Sequence, residues 1–239
     1  MMNNKKPPPF GEEIKDECDN EQGLSHIHKL NAIEQESNYF ENTTHTIKNS
    51  GGTVFYPNSR EELSLIIKYG KAPFRVIGTG NNWTNYVLNE TLISMKKLNK
   101  LIHIDPSKKE VTAEAGITLS ELRKALDPLG LAFPVYPSTD ITLGGAVSVG
   151  AYCSGKQDTG TYSDWIESLI VINGKGEGIT VPEEDMCAAK LSLGLLGVTY
   201  LITIRVVENA CFEEKTAIVN MKDELPNIIE AYKRHDHVN

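Results

Sequence analysis

Two glycine-rich stretches carry the chemistry open to this sequence. Gly78-Thr79-Gly80-Asn81-Asn82 follows the apolar run Phe74-Arg75-Val76-Ile77, and Gly144 to Gly155 follows Thr142-Leu143. Glycine lacks a Cβ and accepts positive φ, so successive main-chain N–H groups can converge on one anion. One Gly-x-Gly alone reads as a tight turn. Two of them, each after an apolar strand, shift the reading toward phosphate binding.

Three familiar phosphate motifs fail against these letters. A G-x-G-x-x-G fingerprint would need glycine where Trp83 stands, and Asn85 to Thr91 has no amphipathic helical pattern. Gly150 to Lys156 fits a G-x-x-x-x-G-K-[ST] loop as far as the lysine, but Gln157 follows and offers no hydroxyl to Mg²⁺. The strand and catalytic-loop signatures that accompany a kinase glycine loop are missing. His26-x-His28 and His235-x-His237 have no Cys or carboxylate at zinc-like spacing and read as solvated histidines. Cys18, Cys153, Cys187 and Cys211 form no C-x-x-C pair, which suits reduced thiols in a cytoplasmic protein.

Around these stretches lie 239 residues, 40% of them hydrophobic, enough to bury a core. Lys and Arg number 24 against 32 Asp and Glu, a net charge of −8. That balance argues against a nucleic-acid partner, and no run approaches the ~18 apolar residues of a membrane span. Met1 to Pro9 is polar and Pro-rich, with no apolar h-region of a signal peptide. Residues 1–48 read as a polar, mobile segment with one short helix around His28 to Gln35.

From Gly51 onward the pattern is regular. Thr53 to Tyr56 is strand-like. Ser59-Arg60-Glu61-Glu62 is a capping box opening a helix through Leu63, Ile66 and Ile67 to Gly70. Strands are expected at Phe74 to Ile77 and Leu92 to Met95, with a hairpin over Leu101 to Ala115. A second capping box, Thr118 to Glu121, opens a helix that Gly130 closes. Trp165 to Asn173 and Tyr200 to Val207 read as strands, and Glu183 to Ala189 as helix. Trp83 and Trp165 read as core aromatics, Asp164 as a turn or cap residue, and Asp140 as the cap of a short helix near Thr142. The order is α+β in two sub-layers, without strict βαβ alternation.

Four blocks together resemble the FAD-binding, PCMH-type domain of the vanillyl-alcohol-oxidase flavoproteins, closest to the sugar-1,4-lactone oxidase and alditol oxidase branch. They are Pro57 to Leu63, Arg75 to Trp83, Ser138 to Gly155 and Leu193 to Val198. The resemblance covers residues 49–209 and implies a two-subdomain FAD-binding fold. It implies that Val76, Ile77, Gly78, Thr79, Gly80, Asn81 and Asn82 wrap the FAD diphosphate through backbone amides. Ser138, Thr142, Gly145, Val149, Gly150, Ala151 and Tyr152 would line the other side, with Val198 near the adenine.

The chain departs from the family pattern in three places. Many members of that branch carry a flavin-linking histidine where Asn81 stands, and an amide cannot make that bond, so FAD is expected to be non-covalent. Cys153 replaces a small glycine. Residues 210–239 would be only the start of the substrate domain that follows in the resembled oxidases, or a tail, so that domain is expected to be largely absent. The resemblance implies a FAD-dependent oxidoreductase, or its FAD-binding portion, acting on a polyol or sugar lactone by hydride transfer, with oxygen or another acceptor taking the electrons. The alternatives are a FAD-binding module without catalysis of its own, and an unrelated nucleotide-binding α+β protein. No catalytic residue is assigned.

Overall fold

The computed structural model describes residues 21–135, 140–152, 160–210, 218, 220, 222 and 225–234. Helix α1 (Glu21–Asn31) leads into β1 (Gln35–Glu41), which pairs antiparallel with β2 (Lys48–Phe55). Helix α2 (Arg60–Tyr69) then returns the chain to β3 (Phe74–Ile77) and β4 (Thr91–Ser94). The first sheet has the order β1-β2-β4-β3, with β2 and β3 both parallel to β4. All four residues of β4 are buried, as befits a central strand covered on both faces.

The expected capping box opens α2 in a modified form. The Glu62 amide donates to Ser59 Oγ at 3.2 Å, while the Glu62 carboxylate accepts from the Asn58 amide at 2.8 Å, one residue before the cap. Leu63 and Ile66 sit three apart on one face and are fully buried. Burial of each such side chain contributes about 1.5–3 kcal/mol.

The second layer begins with the hairpin β5 (Leu101–Asp105) and β6 (Glu110–Glu114), followed by α3 (Leu119–Leu126), β7 (Leu131–Ala132) and α4 (Leu143–Ser148). It continues through β8 (Ile166–Ile172), β9 (Gly178–Thr180), α5 (Met186–Ala189), β10 (Val198–Arg205), β11 (Val207–Glu208) and α6 (Ile228–Arg234). Its sheet is antiparallel, in the order β5-β6-β10-β8-β9. Thr118 and Glu121 form the complete reciprocal capping box of α3. One apolar core joins the layers: Leu63, Ile66 and Ile93 of the first pack with Leu119, Leu143 and Ile202 of the second.

The N-terminal part differs from the sequence expectation. The helix spans Glu21–Asn31 rather than starting at His28, with the His26 ring stacked on Tyr69 at 4.5 Å. Gln35–Glu41 is a strand inside the segment expected to be mobile. Its letters show no apolar alternation because it is an edge strand. It is held by ladder bonds to β2 and by Phe40, which is buried beside Val54, Val87 and Leu92.

Candidate cofactor-binding cleft

The cleft opens where the two layers meet. Strand β3 delivers the chain into Gly78–Asn82 on one wall, and α4 rises from Thr142 on the other. The space between them is about 410 Å³, within the roughly 300–1,000 Å³ usual for small-molecule and cofactor pockets. Thr142 bridges Thr118 and caps α4, its Oγ1 accepting from the Gly145 amide at 3.2 Å. The sequence reading placed that cap at Asp140. Thr142 takes the role because its own backbone is extended at the residue directly before the helix.

The two glycine stretches touch. A Cβ added to Gly78 would lie 2.4 Å from Thr142 Oγ1, so only a residue without a side chain lets the first loop close on the second. Gly80, at φ +81°, turns the loop through the left-handed region.

The main-chain donors of the two walls differ. In the second wall, the Leu143 amide donates to the Ile117 carbonyl, Gly144 to Ala115, Gly145 to Thr142 Oγ1 and Ala146 to the Thr142 carbonyl. These donors are already used inside the protein. In the first wall, the amides of Thr79, Gly80, Asn81 and Asn82 have no protein acceptor among the described residues. The first loop therefore presents donors, and the second presents a close, Cβ-poor surface.

The lining carries no carboxylate among the described residues. Among the described residues Arg75 is its one charged side chain and forms no ion pair. Tyr86 faces the same space; burial pushes its hydroxyl pKa up, against the opposing pull of Arg75.

All seven residues from Val76 to Asn82 line the cleft, as do Thr142, Gly145, Val149, Ala151 and Val198. Gly150 and Tyr152 do not. The Gly150 amide folds back onto the Val147 carbonyl and its Cα faces Leu191, while Tyr152 pairs with Thr161 and is exposed. Ser138 and Cys153 lie outside the described residues. Trp83 is not a core residue: it is 79% exposed on the lip of the cleft, because the loop that carries it packs on its other side. Trp165 is half-buried against the core, with the Arg205 guanidinium 5.2 Å from its ring. Asp164 is a cap residue as expected, accepting from the Thr161 amide at 2.6 Å. Leu193 and Gly197 of the fourth block line the cleft as well. Phe40 and Tyr86 also line it without having been singled out in the sequence; only the assembled fold, with β1 beside the first loop, places them there.

A family model described as "FAD binding domain" matches residues 52–181, more than half of the chain. The chain belongs to this FAD-binding family. It is 32% identical over 177 residues to the L-gulonolactone oxidase of Scyliorhinus torazame, covering 70% of this chain and 40% of that protein. It is 33% identical over 166 residues to the D-arabinono-1,4-lactone oxidase of Candida glabrata, covering 64% and 31%. Among solved structures, a cholesterol oxidase from Brevibacterium sterolicum superposes with a TM-score of 0.66 at 17% identity, over 74% of this chain and 38% of that one. An alkyldihydroxyacetonephosphate synthase gives 0.65, over 77% and 40%. The fold is thus that of the FAD-binding fragment of PCMH-type flavoproteins, the expected α+β architecture. The chain spans less than half the length of each of these proteins.

Proposed function

We propose that this chain is the FAD-binding portion of a flavin-dependent oxidoreductase that oxidises a sugar lactone or polyol. The observation that carries the reading is the contact of the two glycine stretches at Gly78 and Thr142, with open amides on one wall of the resulting cleft. The residues fit a dinucleotide. Amide dipoles suit a diphosphate even in an acidic protein, and no carboxylate among the described lining residues opposes it. The lactone oxidases among its relatives support the substrate class.

Bound FAD supplies a hydride acceptor for a hydroxyl-bearing carbon, whose hydroxyl proton is released as the carbonyl forms. This chain's residues have other tasks. Val76 to Asn82 hold the diphosphate. Thr142, Gly145 and Val149, which line the facing wall, would confine its other side, and Val198 would lie near the adenine. Asn81 offers an amide where a linking histidine would be needed, which supports non-covalent binding. The electron acceptor, oxygen or another, and a cytoplasmic location belong to the same proposal. Among the described residues no helix is long and apolar enough to cross a membrane.

A second reading, a FAD-binding module without catalysis of its own, is favoured by one observation. The described lining contains no carboxylate, histidine or lysine to move a proton. One series of experiments tests both. The purified chain should bind FAD with flavin absorption bands, and acid precipitation should leave the flavin in the supernatant. Flavin retained on the pellet would overturn the non-covalent reading, and a chain that ignores FAD would overturn the proposal. Anaerobic bleaching by an aldonolactone or polyol supports oxidoreductase chemistry; no bleaching by any of them favours the module.

A further inference from the structure

The turn from Asn42 to Ile47, which joins β1 to β2, packs beneath the first glycine loop. Asn42 is 1% exposed, and its carboxamide is saturated. Oδ1 accepts from the Thr46 and Ile47 amides at 2.9 Å each. The two Nδ2 protons serve three acceptors: Thr44 Oγ1 at 2.8 Å and Thr46 Oγ1 at 3.1 Å, which lie close enough to share one, and, forty residues away, the Asn82 carbonyl at 2.9 Å. The next residue reaches the same loop: the Thr43 amide donates to the Gly80 carbonyl at 3.0 Å, and Thr43 Oγ1 donates to Asn81 Oδ1 at 3.1 Å. A buried amide of this kind is tolerated only when its hydrogen bonds are made, and here they run between two loops.

Peptide geometry turns these contacts into a statement about the cleft. The loop's peptide bonds are trans, so each carbonyl points opposite to the N–H that follows it. The Gly80 carbonyl faces Thr43, so the Asn81 N–H faces away from the turn. The Asn82 carbonyl faces Asn42, so the Trp83 N–H does the same. Gly80 to Trp83 all line the cleft, and among the described residues neither N–H has a protein acceptor. We propose that Asn42 is a positioning residue for anion binding: through the Asn82 carbonyl and the turn that grips Gly80, it keeps the Asn81 and Trp83 N–H groups facing the cleft to receive the diphosphate of FAD. This rests on the cofactor reading above and extends it to a residue outside the family-matched segment.

The test uses the full chain, FAD titration and amide proton resonances. In the wild type, FAD should move the Asn81 and Trp83 amide protons downfield. Asn42→Asp keeps the shape and the acceptor but removes the donor to Asn82; Asn42→Ser removes that donor without adding charge. Both should weaken FAD binding at least tenfold and abolish the shifts at Asn81 and Trp83, while the FAD-induced shift at Val198 persists. A merely structural role would reduce all shifts together. Wild-type affinity in Asn42→Ser, with only Asn42→Asp impaired, would assign the effect to charge and overturn the proposal. So would unmoved Asn81 and Trp83 resonances in FAD-bound wild type, a result that stands even if neither variant folds. A wild type that binds no FAD is a different failure, of the cofactor reading itself.

Discussion

Replacing Gly78 by alanine asks whether the two walls of the cleft meet as tightly as the geometry states. The new Cβ would lie 2.4 Å from Thr142 Oγ1, 3.2 Å from its Cγ2 and 3.4 Å from its Cβ. Two of these distances are too short, and Thr142 is 5% exposed with little room to move. Rotating the threonine would forfeit its cap on Gly145, at about 0.5–2 kcal/mol. Shifting the loop would be overpacking, at about 1–3 kcal/mol. Gly78→Ala should therefore destabilise the chain by about 1–3 kcal/mol, less about 0.4–1 kcal/mol from a stiffer unfolded chain. For a chain of this size each kcal/mol lowers Tm by about 2–4 °C. Thr142→Ala alone should cost about 0.5–2 kcal/mol through the lost cap. Combined, the two should be nearly as stable as Thr142→Ala, because removing Oγ1 and Cγ2 leaves only the ordinary 3.4 Å contact. The coupling, read from denaturant melts as a double-mutant cycle, should fall within about 0.5–3 kcal/mol and be favourable. Strict additivity would mean that the loops do not touch, and the reasoning about the cleft would fall with it.

Trp83 stands exposed on the cleft lip while Trp165 packs against the core, so FAD should quench emission in the wild type and in Trp165→Phe, but far less in Trp83→Phe. Equal quenching in both variants would place the cofactor elsewhere. Thr142→Arg or Gly145→Glu should abolish FAD binding with the far-ultraviolet circular dichroism retained; full affinity in either would remove the second wall from the site. Affinity for FAD should hold or rise between about 20 and 500 mM salt, since screening weakens the repulsion from a net charge of −8 more than it weakens short-range amide contacts; a steep loss would indicate binding through cationic side chains instead. Asp105 has its carboxyl pKa lowered by hydrogen bonds from the Ser107 hydroxyl and the Lys108 amide. A lowered folded-state pKa means that its stabilisation is present above the unfolded value and is lost as pH falls through the folded one. Asp105→Asn should flatten the acid limb of a pH–Tm curve below about pH 4, and an unchanged limb would refute that assignment.

What the sequence discloses follows from how local each cause is. The boxes at Ser59 and Thr118 specify helices through bonds three or four residues long, so α2 and α3 were legible. Gly78 and Gly144 announce close approach, because a missing side chain is visible in the letters. The edge strand β1 was not legible: Gln35 to Glu41 offers no alternation, and its order comes from a partner strand and from Phe40. Nor was the role of Asn42, whose decisive bond reaches the Asn82 carbonyl, a contact no propensity encodes. The exposure of Trp83 was missed for a related reason. Its apolar bulk argues for burial, and only the turn beneath the loop forces it outward.

The unequal state of the two glycine walls carries a consequence for how such a cleft can be built. The first loop is largely open to water, but Leu143 and Ala146 of the second wall are buried, and their amides, left without acceptors, would cost about 1–3 kcal/mol each. The second wall avoids this by satisfying its donors with Ile117, Ala115 and Thr142, at the start of a helix too short to stand alone. It thereby becomes a rigid surface against which the first loop can be held. The first loop keeps its donors open and is steadied from behind, by the Asn42 turn on its carbonyl side and by Thr142 against Gly78. Rigidity and donor capacity thus sit on opposite walls. A substitution in the second wall should act mainly through shape, and one in the first mainly through the direction of its peptide planes.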